Sequence, residues 1–568
     1  MDRTMLSVIG AIAAGTVLIA LPTVIGRFRS SVRMWRALRD APQATAVPME
    51  KYAAYDLRVG PLSATDALDE RTWDDLHLDA VFRQADHCAS QPGRQWLYHM
   101  LRRPRLTADM VDAFDARVRA MARDPERTAR IRAALGTLGD RRAADLEAAF
   151  FGALPQRPTL WWVFPLLTLG GVMCVAGAFV WPGLLVVWLA LCVVNMIAQA
   201  LYRPRVRDFV AAMRELPVFV DAASALGQMS IPELASETAT LSDGAARLRT
   251  VRLTTAWLRF DARSANELIG SVYEWTNLLF ALDLSAFVLT TTKLHDLRDV
   301  AQRCFCALGT MDALQSIARW RATLPVWSVP ALTSPGKALE INDLSHPLVA
   351  DAVPNSLTLV DTGVLITGSN MSGKTTFVRA LGVNAVIATA FATVCASLWR
   401  APAYHVRTSI GQADSLLDGK SYYLAEVESV RRMLIAKSDG VQHMFLLDEL
   451  FRGTNTGERI AAATATLSWL HRGHDVVVVA THDLEVHRYL SDAFDAYHFR
   501  EQVVADAMTF DYRIQPGLSS THNAIALLEI MQFPPALVED ARTILGGGRG
   551  APQSGVDVEN ARVAGAAG

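Results

Sequence analysis

Apolar and polar positions alternate along the 568 residues in blocks of three kinds. The first kind is long and uninterrupted. Residues 5–25 form an apolar run of about twenty positions, enough to cross a bilayer core as a helix. Only Arg3 stands before it as a basic side chain, whereas Arg27, Arg29, Arg33, Arg36 and Arg39 follow. A cleaved signal peptide is the rival reading. No small-x-small site closes the run, so the pattern predicts an uncleaved anchor with its N-terminus outside. Residues 160–180 and 184–201 form a second such block, broken by Trp181-Pro182-Gly183 into a tight helical hairpin. Trp161, Trp162, Trp181 and Tyr202 stand near its ends, where amphipathic rings favour the interface. Arg157 precedes it and Arg203, Arg205 and Arg207 follow, so both ends point inward. A hairpin buried in a soluble core is the alternative. Neither stretch carries an acidic or basic residue, which favours lipid. The expectation is three transmembrane helices in the inner (plasma) membrane, with lipid as a partner and the remainder cytoplasmic.

The second kind of block has helical periodicity. Across 64–151 and 206–322, apolar residues recur at three- and four-residue spacing, as in Leu78, Val81, Phe82 and Ala85, or Trp275, Leu278, Leu279 and Leu282. Pro325, Pro330 and Pro335 end that pattern. The third kind is short and strand-like, and begins after them.

Composition changes this picture little. Hydrophobic residues reach 51% and mean hydropathy is +0.20, consistent with lipid-facing surface. A formal net charge of −2 gives no global field toward nucleic acid. The six cysteines form no CxxC pair. Reduced thiols and no structural metal cluster are expected.

The chemistry sits among the strand-like runs. Val364-Leu365-Ile366-Thr367 leads into Gly368-Ser369-Asn370-Met371-Ser372-Gly373-Lys374-Thr375-Thr376, which fits G-x-x-x-x-G-K-[ST] in full. Gly368 and Gly373 permit backbone angles and a close approach that a β-carbon would block. Successive amides at a helix N-terminus then face the phosphates of ATP. Lys374 supplies a point charge, and the Thr375 hydroxyl can ligate Mg²⁺. Met444-Phe445-Leu446-Leu447 is a second buried strand ending in Asp448-Glu449. Asp448 would hold Mg²⁺, and Glu449 would orient or polarise the attacking water. Residues 476–480 form a third strand, ending in Thr481-His482-Asp483. His482 could bond the γ-phosphate or the water; a surface histidine is the alternative.

These segments together resemble the MutS-type ATPases. Asn370-Met371 matches the unusual middle of that family's loop, and Asp448-Glu449-Leu450-Phe451-Arg452-Gly453-Thr454-Asn455-Thr456 resembles its Asp-Glu followed by an arginine-glycine-threonine stretch. Ser421-Tyr422-Tyr423-Leu424-Ala425-Glu426 resembles its Ser-Thr-Phe segment, with two tyrosines in place of Thr-Phe. The resemblance implies a homodimer in which Ser421 reaches ATP bound by the partner subunit. It makes His482 the switch histidine and Tyr512 the ring that packs on adenine. Asn370 would position the γ-phosphate or water; on its own it is equally a turn asparagine. Upstream, Ser345-His346-Pro347-Leu348, Val353-Pro354-Asn355, Asp69-Glu70-Arg71-Thr72, residues 93–101 with Arg102-Arg103-Pro104, and Met311-Asp312-Ala313-Leu314 extend the likeness over 65–150 and 205–545.

The implied fold class is an α/β P-loop ATPase domain (ABC/MutS-like) plus a mostly α-helical lever/core domain with transmembrane helices. The expected divisions are a 1–45 anchor, 46–155 and 205–335 as two halves of the helical lever, a 156–204 hairpin, a 336–545 ATPase domain and a disordered 546–568 tail. The hairpin stands where relatives carry a DNA clamp. Phe499-Arg500-Glu501 has the letters of the family's mismatch wedge but reads as part of a strand. Arg127, Arg130, Arg132, Arg141 and Arg142 could face DNA phosphate or form a solvated helix face. The resemblance implies mismatched-DNA binding and repair. The alternative is a membrane-associated mechanochemical ATPase without mismatch recognition.

Overall fold

The computed structural model describes residues 47–59, 67–156, 158–255, 275–369, 372–411, 422–437, 440–504, 507–518, 525, 528–529 and 531–545. The 5–25 run, Asn370, Met371, Ser421 and the 546–568 tail lie outside the described residues.

A helical body comes first: α1 (Met49–Val59), α2 (Glu70–Asp75), α3 (Leu78–Ala85), α4 (Gln91–Arg102), α5 (Ala108–Ala122), α6 (Pro125–Gly136) and α7 (Leu146–Phe151). A hairpin follows, α8 (Val163–Gly177) and α9 (Leu184–Met213), and the body resumes with α10 (Leu216–Gly227), α11 (Ala235–Thr255) and the 40-residue α12 (Leu282–Arg321).

One buried carboxyl group is prominent among the contacts that close the two halves of the body on each other. Ser90 caps α4, its side chain accepting from the amide of Gly93. Asp312 of α12 in turn accepts from Ala89 N at 3.0 Å, Ser90 N at 2.7 Å and Ser90 Oγ at 2.5 Å. Burial pushes its carboxyl up to about 6 against those hydrogen bonds. A β-carbon at Gly93 would lie 2.1 Å from Asp312 Oδ2, so only glycine allows the two helices to approach this closely.

The hairpin is broken at Trp181-Pro182-Gly183. Helix α8 is shorter than the apolar run that contains it, because 178–180 form a turn, as do 159–162 at its other end, whereas α9 continues well beyond its apolar run. Among the described residues one helical stretch, Leu184–Gly227, is long and apolar enough by length and composition to cross a membrane; 17% of its apolar window is buried. Val163–Gly177 is shorter. The outward side chains are large and apolar, among them Leu169, Met173, Phe179, Val186 (70% exposed), Val193 and Ile197.

The third part holds two sheets. Strands β1 (Ala331–Thr333), β2 (Leu339–Leu344), β3 (Asn355–Leu359) and β5 (Leu398–Pro402) pair in the order β1-β5-β2-β3. The larger sheet runs β10-β9-β4-β8-β7-β6. It comprises β4 (Gly363–Thr367), β6 (His405–Ser409), β7 (His443–Asp448), β8 (Val476–Ala480), β9 (Phe494–Val504) and β10 (Ala507–Pro516). All neighbours are parallel except β10, which returns antiparallel along β9. Every residue of β4 and β8 is buried, as uninterrupted apolar strands covered on both faces require. Covering helices include α13 (Lys374–Phe391), α14 (Tyr422–Ala436), α15 (Thr456–Leu470) and α16 (Leu484–Leu490), and α17 (Pro535–Leu545) follows the sheet. Phe499-Arg500-Glu501 lies within β9.

Two buried charged side chains, Asp75 and Arg321, help to join body and sheets. Asp75, closing α2, accepts from Thr408 Oγ1 and Ile410 N, both at 2.8 Å, at the edge strand β6. Arg321, closing α12, donates to Asp115 at 2.6 Å, Thr393 Oγ1 at 2.9 Å and the carbonyl of Ala392 at 2.7 Å, just beyond the C-terminus of α13. The arginines suggested as a DNA face are only partly available to one. Arg132 is buried and donates to the carbonyl of His87, and Arg127 donates to that of Ala120.

Candidate nucleotide site

The site forms where three parallel strands end side by side. Strand β4 runs into the loop at Gly368, β8 lies beside it and ends at Thr481-His482, and β7 lies beyond β8 and ends at Asp448-Glu449. Ligands in open α/β sheets gather outside such carboxyl ends.

Gly368 adopts φ +133°, and a β-carbon there would meet the carbonyl of Phe499 at 2.9 Å. The loop turns through Ser372, whose hydroxyl donates to the carbonyl of Ser369 at 2.8 Å. Gly373 caps α13, and the helix begins at Lys374. The buried Lys374 Nζ crosses the loop to the carbonyls of Gly368 (2.5 Å) and Ser369 (2.7 Å). Thr375 and Thr376 stand in the first turn of α13, Thr376 exposed. The ring of Tyr512, at a left-handed position in β10, lies against Gly373, where a β-carbon would sit 3.2 Å from its Cδ1.

The loop meets the neighbouring strand end directly. Thr375 Oγ1 donates to Asp448 Oδ2 at 2.7 Å. A hydroxyl and a carboxylate oxygen converging at the start of a helix suit a hard divalent cation such as Mg²⁺. The buried Ser369 hydroxyl, which has no partner among the described residues, adds an unspent donor to the loop.

Glu449 is held from two sides. His482 Nε2 lies 3.0 Å from its Oε1, and Arg452 pairs with its Oε2. Burial opposes ionisation of this carboxyl. The hydrogen bond from His482 and the charges of Arg452, His482 and Lys374 outweigh it and hold the group below its usual value. Glu449 takes φ +53°, and its amide donates to the carbonyl of Ala480 on β8, which fixes the turn beyond Asp448.

Two supports were not evident from motif spacing. Glu426 of α14 is buried and accepts from the backbone amides of Arg452 and Gly453, bracing the loop that carries Arg452. Burial raises its carboxyl value, opposed by the Arg452 charge and those two amides. Asp483 forms a two-pronged pair with Arg459 of α15 at 2.7 and 2.8 Å, anchoring the residue next to His482. Glu426 closes the Ser-Tyr-Tyr-Leu-Ala-Glu segment, which was the one available sequence signal for it.

The family description MutS domain V matches residues 364–547, the segment that contains the loop, both carboxylates and the histidine. Residues 364–547 belong to the MutS family. The DNA mismatch repair protein MutS of Thermus thermophilus is 32% identical over 247 residues, which are 41% of this chain and 30% of that protein. The MutS of Natronomonas pharaonis is 31% identical over 254 residues, 43% of this chain and 28% of the relative. The DNA mismatch repair protein MutS 2 of Halobacterium salinarum is 29% identical over 280 residues, 46% and 31% of the two chains. The chain thus spans about 30% of the length of these MutS relatives.

Proposed function

We propose that this MutS-family chain binds ATP with Mg²⁺ and hydrolyses it at the ends of β4, β7 and β8, and that the cycle moves helical levers tied to a membrane hairpin. The observation that carries the reading is the 2.7 Å contact between Thr375 and Asp448. It brings the phosphate-binding loop and the strand-end carboxylates into one site. Loop amides from Gly368 to Thr376 would cradle the triphosphate, and Lys374 would place its charge on the outer phosphates. Thr375 and Asp448 would hold Mg²⁺, which when bound neutralises charge on the phosphate oxygens. Glu449, ionised and aimed by His482 and Arg452, would orient the attacking water and accept its proton. Tyr512, beside Gly373, would stack on the base.

The reading extends to a homodimer with composite sites, Ser421 of one subunit reaching nucleotide on the other, as the family resemblance implies. It places the protein in the inner (plasma) membrane with the ATPase domain cytoplasmic. The apolar, outward-facing surface of α8 and α9 supports that placement. The experiment is ATP turnover by the purified protein and its Lys374→Ala variant. Loss of phosphate release in the variant is expected, and undiminished release would sink the reading.

The names of the relatives favour a second reading, in which the same engine serves DNA mismatch repair. Turnover in purified membranes with matched duplex, mismatched duplex or no DNA separates the two. Stimulation specific to the mismatch supports repair, and indifference to DNA supports a mechanochemical role alone.

A further inference from the structure

The helical stretch 275–280 does not continue smoothly into α12. Ala281 takes φ +52° between them, and the chain reverses there. The partners along the way give the direction. Gln199 Nε2 donates to the carbonyl of Asn277 at 2.5 Å, and Asn195 Nδ2 donates to that of Leu279 at 2.6 Å. The ring of Phe280 then meets Trp188, with centroids 6.3 Å apart, and lies against Gly171. From Gln199 to Trp188 the contacts climb α9 toward the Trp181-Pro182-Gly183 tip, by roughly 16 Å at 1.5 Å per residue. Beyond Ala281 they descend. Ser285 Oγ is still at the level of Thr168, 2.7 Å from its Oγ1, and Phe287 then meets Phe209 near the far end of α9, with centroids 5.5 Å apart.

A reversal of this kind leaves backbone carbonyls without helical partners. Here the hairpin supplies them. Besides Asn195 and Gln199, Thr168 Oγ1 of α8 donates to the carbonyl of Phe280 at 2.7 Å. Asn277 and Asp283 close the turn reciprocally, Asn277 Nδ2 donating to Asp283 Oδ2 at 2.8 Å and Asp283 N to Asn277 Oδ1 at 2.9 Å. The polar side chains of an otherwise apolar hairpin are therefore turned inward onto the break. Their outward neighbours, such as Val193 and Ile197, are exposed and apolar, and so are Trp275 (64% exposed) and Leu289 (40%) on the reversing segment. Irregular backbone at membrane depth is tolerated where protein groups satisfy it and apolar groups face out.

The geometry points to a re-entrant membrane element: residues 275–290 enter the bilayer beside the hairpin, turn at Ala281, and leave as α12, with lipid hydrocarbon as the partner of Trp275 and Leu289. This rests on the membrane placement proposed above and extends it. One end of α12 is then embedded in lipid, while Arg321 at the other end holds the C-terminus of α13, the helix whose N-terminus forms the phosphate loop.

The test replaces Trp275, Leu289, Val193 or Tyr489, one at a time in the full-length chain, with a photo-crosslinking amino acid in membranes carrying an alkyne-tagged phospholipid. All four positions are exposed, so the fold should tolerate the probe. Acyl-chain adducts at 275 and 289 comparable to those at 193, with none at 489 on the ATPase domain, are the expected result. Adducts at 193 but not at 275 or 289 would overturn the re-entrant element and leave the hairpin in the membrane. No adducts at 193 either would overturn both readings. Equal adducts at 489 would remove the distinction and overturn the inference.

Discussion

Thr375, in the first turn of the phosphate-loop helix, donates its hydroxyl to Asp448 at the end of β7, at 2.7 Å. Two oxygen donors from different motifs thus share one corner of the site. Asp448→Ala removes the carboxylate, and turnover should fall about 100-fold, the scale expected when one preorganised electrostatic contact to a transition state is lost. Phosphate release measured across a Mg²⁺ titration checks this. A variant that keeps the wild-type rate and Mg²⁺ dependence contradicts the assignment.

Glu449 should act as an ionised group over most of the pH range. Its folded value is depressed, so stability and activity that depend on its charge are present above the ordinary carboxyl value of 4.5 and are lost only as pH falls through the lower folded one. In His482→Ala the hydrogen bond that lowers it is gone, and the acid limb of kcat/KM should move upward. Glu449→Gln should cost roughly 10²- to 10⁴-fold in kcat while ATP is still retained. The pH profile of the histidine variant is the deciding measurement; an unmoved acid limb rejects the coupling.

Asp312 behaves in the opposite sense. Its folded value, about 6, lies above the ordinary 3.8, so the native state binds the extra proton between those values. Stability should fall as pH rises from about 4 to about 6, and Asp312→Asn should flatten that slope. Asp312→Ala strands the donors of Ala89 and Ser90 and should cost at least about 3 kcal/mol. Thermal unfolding of the purified protein across this pH range tests both.

Arg321 is buried with Asp115 and serves three further acceptors. Arg321→Ala leaves Asp115 with Arg119 as its remaining cationic partner and strands the buried carbonyls of Phe391 and Ala392, and should destabilise by about 1–3 kcal/mol. Arg321→Lys keeps the charge but loses the planar fork, and should fall between. Unfolding temperatures of the two variants give the order; equal stability to wild type would show that the joint between α12 and α13 is dispensable.

How far the chain reveals itself before folding depends on sequence distance. The loop at Gly368–Thr375 and the strand ends at Asp448 and His482 are legible because each is a short pattern with its own chemistry. The helical stripe at Leu78, Val81, Phe82 and Ala85 is legible for the same reason, and all four are buried. Glu426 is legible only as the last letter of the Ser-Tyr-Tyr-Leu-Ala-Glu segment, because its partners, the amides of Arg452 and Gly453, are backbone groups that carry no letter. Arg321 is not legible, since its partners on α13 and beyond are carbonyls some 70 residues away. The reversal at Ala281 is hidden inside an unbroken helical periodicity. Trp275, Leu278, Leu279 and Leu282 keep their spacing across a point where the backbone turns back, because alanine at a left-handed angle leaves no signature in an apolar pattern.

The bond between Ser90 and Asp312 spans 222 residues with the hairpin between its ends. At about 5–20 residues per second, a ribosome needs on the order of 10–40 s to deliver the second partner after the first. Through that interval the start of α4 lacks its carboxylate, and the hairpin leaves the exit tunnel before the body can shut. Vectorial synthesis therefore imposes an order: the insert settles first, and the two flanking halves clasp only afterwards, like a buckle fastened last.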